Sequence, residues 1–238
     1  MTATENNHPI GLVTALAQEY SVVQSVAANS HGRLMTVQSG MGRAAGFLAA
    51  EQLGRENPGL TGLVSIGFCG ALEPGIATGT IILPKAIIAV DSESFEADAD
   101  WINAVAKPLI NLPIITGRTM YAAPEIVETA QGKRDLCTQT GSCAVDMESA
   151  GIAHAARRFN LPFIAVRIVV DEVSDILPSA TRNAVKVDGN IDMKGLLRGL
   201  ASNPRDLPDL IKLGRKSSRA QKQLKAVCEA LLPNFCQP

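Results

Sequence analysis

Between residues 10 and 170 short apolar runs alternate with stretches of small, helix-forming residues, and this alternation restricts the fold more than any other feature. Residues 10–16, 34–38, 62–66, 112–116 and 162–170 are too short for ordinary buried helices. They are bounded by Gly, Pro or polar residues, so each reads as a strand. Residues 144–147 look like a further strand end. Helices are expected through residue 26 after the first strand, over 44–53 (closed by Gly54 and Pro58), over 123–132 and over 150–159. Residues 101–106 form a short amphipathic piece. Residues 79–90 are β-rich, with Pro84 marking an irregularity or an edge. Strands that alternate with helices predict an α/β domain on a parallel or mixed sheet. The boundaries are residues 1–190 for this domain and 191–238 for a basic, amphipathic helical extension of it.

Composition removes several classes of function. The 238 residues carry a formal net charge of −1 and only 4% aromatics, so there is neither a basic footprint nor a stacking platform for nucleic acid. Five cysteines lack C-x-x-C spacing, and His8, His31 and His154 are scattered, which argues for reduced thiols and against a metal site. Residues 1–9 are polar and show no secretory pattern, and the most apolar run, 161–170, is too short for a bilayer and contains Arg167. A cytoplasmic protein is expected, with the basic extension as a route to the inner-membrane surface.

Open α/β sheets bind ligands beyond the carboxyl ends of their strands. The residues just beyond the expected strands are Glu19, the Ser39-Gly40-Met41-Gly42 turn, the Gly67-Phe68-Cys69-Gly70 turn, Asp146-Met147-Glu148 and Asp171. Carboxylates and glycine turns on one rim could protonate a leaving group, accept hydrogen bonds from hydroxyls and stabilise positive charge. The glycines, Gly40, Gly42, Gly67 and Gly70, would let backbone approach a ligand.

These segments resemble the nucleoside phosphorylase superfamily, close to the methylthioadenosine/S-adenosylhomocysteine nucleosidases. The resemblance runs through Gly11-Leu-Val-Thr-Ala-Leu-Ala-Gln-Glu19, Ser39-Gly-Met-Gly42, Ser65-Ile-Gly-Phe-Cys-Gly70, Val145-Asp-Met-Glu-Ser149 and Val166-Arg167 leading to Asp171. It implies a three-layer fold, a central mixed twisted sheet flanked by helices, and cleavage of the N-glycosidic bond of a purine nucleoside. Asp171 then resembles the general acid that protonates N7 of the base. Glu148 resembles the acceptor for the ribose 2′ and 3′ hydroxyls, with Met147 packed on the sugar. Glu19 matches the glutamate that orients an attacking water. Met120 and Tyr121 are the alternatives for a contact on the base. Arg43 could meet phosphate or a subunit partner, and Ser65 stands near where phosphate would be gripped. Ser65 replaces an arginine of the phosphorolytic branch, so the nucleophile is open between water and inorganic phosphate. No cofactor or metal is implied. Asp146, Arg167 and His154 read as supporting residues. Family members assemble with sites near subunit contacts, and the small residues at 44–50 suit close packing, so at least a homodimer is expected.

Residues 196–213, with Asp206-Leu207-Pro208, and the Leu177-Pro178 step resemble the hopanoid-associated phosphorylases of the superfamily. That implies adenine release from adenosylhopane, a lipid-linked adenosine; a cytosolic nucleosidase or a non-catalytic nucleoside binder are the alternatives. From Lys194 to Lys225 nine basic residues are opposed by only Asp206 and Asp209. A basic amphipathic segment of this kind can rest on anionic lipid or pack its leucines on the domain.

Overall fold

A computed structural model describes residues 9–176, 189–190 and 207–231. Its strands are β1 (Ile10–Thr14), β2 (Leu34–Gln38), β3 (Gly62–Ala71), β4 (Ile81–Leu83), β5 (Ala86–Ala89), β6 (Ser94–Glu96), β7 (Ile114–Thr116), β8 (Thr119–Ala122), β9 (Ala144–Asp146) and β10 (Phe163–Asp171). The helices are α1 (Ala17–Ala27), α2 (Arg43–Glu56), α3 (Ala99–Ala106), α4 (Ala130–Thr140), α5 (Ser149–Arg158) and α6 (Leu207–Leu231). The strands form one mixed sheet in the order β6-β5-β8-β9-β3-β10-β4-β7, with β1 joining β3 to β2. The long β3 organises it. Its first half is flanked in parallel by β1 and β10, while its last residues, Gly70 and Ala71, pair antiparallel with β9.

Side chains alternate across this sheet with the period of two that strands require. Val13, Leu63, Phe163, Ala165 and Val169 face one core, which α2 and α5 cover with Ala50, Leu53, Ile152 and Ala153. Leu12, Val64, Ile66, Ile164, Val166 and Ile168 face the other, covered by Val23 of α1, Trp101 of α3 and Leu224, Val227 and Leu231 of α6. Arg167 and Ser65 fall on the α2/α5 side by the same alternation, which is why they meet Ser149 of α5. The apolar stripe of α6 contributes about 1.5–3 kcal/mol for each fully buried Leu or Val. That helix is therefore an integral layer of the described domain.

Two expectations change. Gly67-Phe68-Cys69-Gly70 is not a turn: β3 continues through it to Ala71, held by β10 and β9. The helix expected over 123–132 begins only at Ala130, where Thr129 Oγ1 accepts the Gly132 N–H at 3.0 Å. Pro124 and the β-branched Ile126 and Val127 disfavour a helix before that cap. Pro84 does mark an irregularity, since it separates β4 from β5. The short β6 and β8 lie hidden among turn residues. Residues 177–188, 191–206 and 232–238, with Leu177-Pro178, Lys194, Arg198, Arg205 and Cys236, lie outside the described residues. No described helix is long and apolar enough to cross a membrane.

Candidate active site

The carboxyl ends of β1, β3, β9 and β10 open into a cavity of about 410 Å³. Glu19, Gly70, Asp146, Met147, Glu148 and Asp171 line it together, so the rim anticipated from strand ends is realised. Leu210 and Leu213 of α6, with Met41, Phe68, Ile126 and Val127, complete an apolar wall.

Glu19 sits at the third position of α1, 2% exposed. Its Oε2 accepts the N–H groups of Ala15 and Leu16, each at 2.9 Å, which is the helix-capping half of its role. Its Oε1 accepts the Phe68 N–H at 2.7 Å, tying the first turn of α1 to β3. A carboxylate offers about four acceptor positions, so three backbone donors leave room for one more. Burial pushes its pKa up, against the lowering field of Arg167 and those N–H groups. Gly67 is what makes the arrangement fit. A Cβ there would stand 2.5 Å from Glu19 Oε1 and 2.6 Å from Arg167 Nη1.

Glu148 precedes α5, and its Oε1 accepts the Gly42 N–H at 2.9 Å. That contact depends on α2 and α5 touching backbone to backbone. A Cβ on Gly46 would lie 2.9 Å from the Glu148 carbonyl oxygen, and one on Gly151 only 2.0 Å from that of Arg43. Of the small residues at 44–50, Gly46 and Ala50 serve packing within the chain, while Ala44 is exposed. Burial, and then the neighbouring Asp146, push the Glu148 pKa up to about 7.

Beneath these groups lies a buried ion pair. Arg167 Nη2 reaches Asp146 Oδ2 at 2.6 Å and donates to Ser65 Oγ at 2.5 Å and Ser149 Oγ at 2.9 Å. Burial opposes the Arg167 charge, but Asp146, Glu148 and Glu19 hold its pKa up. One guanidinium therefore compensates three carboxylates. Arg167 Nη1 is buried with no hydrogen-bond partner in the protein, and like Glu19 Oε1 it packs closely against Gly67.

Asp171 ends β10, where the register shifts so that Asp171 rather than Val170 stands opposite Gly70. Such a bulge re-aims a side chain. Burial raises the Asp171 pKa, and the ammonium of Lys133 opposes the rise through an ion pair. Lys133, on α4, was not anticipated. Nothing in a polar helix sequence marks one lysine as buried.

Other expected residues fall elsewhere. Arg43 is engaged by Asp91 and Glu93 at 3.1 and 3.0 Å and does not line the cavity. Ser65 is buried beneath it. Met120 is core. Tyr121 lines an adjoining open hollow, with Pro124, Glu128 and Leu136. Gly40 is buried near the cavity without lining it. His154 packs against Phe47 and Phe95 inside the domain, as a supporting residue would. No cluster of metal-ligating side chains occurs among the described residues.

Residues 19–189 match the model of the phosphorylase superfamily. The chain belongs to that superfamily. It is 25% identical over 198 residues to the 5′-methylthioadenosine/S-adenosylhomocysteine nucleosidase of Staphylococcus saprophyticus, covering 68% of this chain and 86% of that one. Among solved structures it superposes on the same enzyme from Neisseria meningitidis, in complex with methylthio-immucillin-A, with a TM-score of 0.68. That match has 16% identity and covers 94% of this chain and 99% of the other. Futalosine hydrolase of Helicobacter pylori gives a TM-score of 0.61 at 14% identity, covering 68% and 89%. These likenesses confirm the three-layer fold. The superfamily's chemistry makes the chain an enzyme that cleaves N-glycosidic bonds, for which no cofactor is needed.

Proposed function

We propose that this enzyme releases adenine from a purine nucleoside that carries a bulky apolar 5′ substituent, with water as the nucleophile. Adenosylhopane is the substrate class that the tail's resemblance implies. The observation that carries the proposal is one cavity with two chemistries: Glu19, Glu148 and Asp171 on its floor, and Leu210, Leu213, Phe68 and Ile126 on its wall.

Each carboxyl group has a task suited to its surroundings. Asp171, whose pKa burial raises, donates a proton to N7, so that the bond between N9 and C1′ breaks and its electron pair stays with the purine. Glu148 accepts hydrogen bonds from the 2′ and 3′ hydroxyls, and its negative charge favours the oxocarbenium-like sugar, with Met147 against the ring. Glu19 takes the proton of the water that adds to C1′, a role its raised pKa suits. The water would stand beside Glu19, whose carboxylate lines the cavity. Phosphate is a poor fit there, because among the described groups one guanidinium already faces three carboxylates.

The exposed Leu207 and Ile211 extend the apolar wall outward along α6. Lys212 and Lys216 are not free for lipid: they pair with Asp175, and Lys216 also with Glu172 at 3.0 Å. Arg215, Arg219 and Lys222 lie on the same helix, and they are the groups we assign to contact with an anionic inner-membrane surface. We also assign the enzyme a homodimeric state, with exposed Leu48 of α2 at the contact. The test is adenine release from adenosines with 5′ substituents of increasing apolar length, with and without inorganic phosphate. Rising kcat/KM with length, and no requirement for phosphate, is the expected result. Preference for methylthioadenosine would instead assign the small-substrate nucleosidase, and dependence on phosphate would remove water as the nucleophile.

A further inference from the structure

Lys133 takes no direct part in the chemistry of the cavity, yet it is the only buried residue of α4 and is fully inaccessible. A lysine is rarely buried without compelling partners. Here all three ammonium hydrogens have acceptors: Asp171 Oδ2, the Glu172 carbonyl at 2.9 Å and the Asp175 carbonyl at 3.2 Å. The loop so gripped is held from its other side by α6, where Lys216 and Lys212 pair with the Asp175 carboxylate. Although burial works against that charge, hydrogen bonds from Lys216 and Lys212 hold the Asp175 pKa at about 2.

We propose that Lys133 is a positioning residue for base release, its ammonium fixing Oδ2 of Asp171 so that Oδ1 carries the proton delivered to the purine. This rests on Asp171 being the acid. When the proton passes from Oδ1 to N7, Asp171 becomes a carboxylate beside a positive charge already in place. Developing charge stabilised by a preorganised partner lowers the barrier. Burial favours the protonated acid, and Lys133 opposes it and favours release of the proton. The charged or titratable groups around Asp171 are Lys133 from α4, Asp175 from its own loop and Cys69 from β3, with Glu172 and Lys216 beyond them.

The test is kcat, KM and their pH dependence for Lys133→Met, Lys133→Arg, Asp171→Asn and the double variant Lys133→Met/Asp171→Asn. An acid that must be protonated gives a rate that falls as pH rises through its pKa. Losing Lys133 removes an influence that lowers this pKa, so in Lys133→Met the descending limb should move to higher pH. Its kcat should drop roughly 10- to 100-fold, a share of the ~10²–10⁴ that a general acid contributes, with KM little changed. In the Asp171→Asn background the same change should cost little more. Lys133→Arg should keep the limb in place and still lose rate, because its planar fork cannot reproduce the three contacts. An unmoved limb in Lys133→Met, an equal loss in both backgrounds, or full activity of Lys133→Arg would each overturn the proposal. The last is decisive even where Lys133→Met does not fold. Full activity of Asp171→Asn would instead remove the acid itself.

Discussion

Glu148→Gln should make the protein more stable and less active at once, and the gain in stability should depend on pH. The Glu148 pKa stands at about 7 in the folded chain against an ordinary 4.5, through burial and the nearby Asp146. The folded state therefore binds this proton more tightly than the unfolded state. Stability from the group is full below about pH 4.5 and is lost as pH rises through 7. That displacement corresponds to ~3 kcal/mol. Glutamine does not titrate, and its Oε1 can still accept the Gly42 N–H. The variant should match the native enzyme within about 1 kcal/mol at pH 5 and exceed it by up to ~3 kcal/mol at pH 8.5, or roughly 6–12 °C in Tm. Urea unfolding at the two pH values, beside adenine release, reads both effects. A stability difference that is flat with pH would show that Glu148 titrates as an ordinary carboxylate, and the reasoning from burial would fail.

Gly67→Ala should abolish turnover and cost ~1–3 kcal/mol in chemical denaturation, because its methyl group displaces both Glu19 and Arg167; a fully active Gly67→Ala enzyme would contradict the close approach. Leu213→Asp should lower kcat/KM for long apolar 5′ substituents by tenfold or more while sparing small nucleosides, and equal losses on both would detach α6 from specificity. Replacing Arg215, Arg219 and Lys222 with Gln should abolish salt-sensitive flotation with anionic liposomes, whereas unchanged flotation would place the membrane contact elsewhere. Light scattering at micromolar concentration should give the mass of a dimer, and a monomer would refute that assembly.

Much of the site is legible in the sequence because strand ends place residues where topology alone can find them. Glu19, Glu148 and Asp171 are reachable from the positions just beyond the apolar runs, and the cavity brings all three together. The Gly67–Gly70 segment reads as a turn, since glycines in a strand interior look like breaks when the reason for them is the approach of Glu19 and Asp171. Arg43 looks available for phosphate because a sequence does not show Asp91 and Glu93 arriving from a β-hairpin. The basic run at the C-terminus looks uniformly solvated, yet Lys212 and Lys216 serve the loop after β10. Lys133 is invisible for the same reason: its partners lie about forty residues away and meet it only through tertiary packing.

In the proposed mechanism Asp171 supplies the proton on which glycosidic cleavage depends. Single-turnover release of adenine by native enzyme and by Asp171→Asn, with nucleoside affinity measured in parallel by calorimetry, tests it most directly. Release slowed by ~10²–10⁴-fold with affinity nearly unchanged is expected. Release at close to the native rate would contradict it.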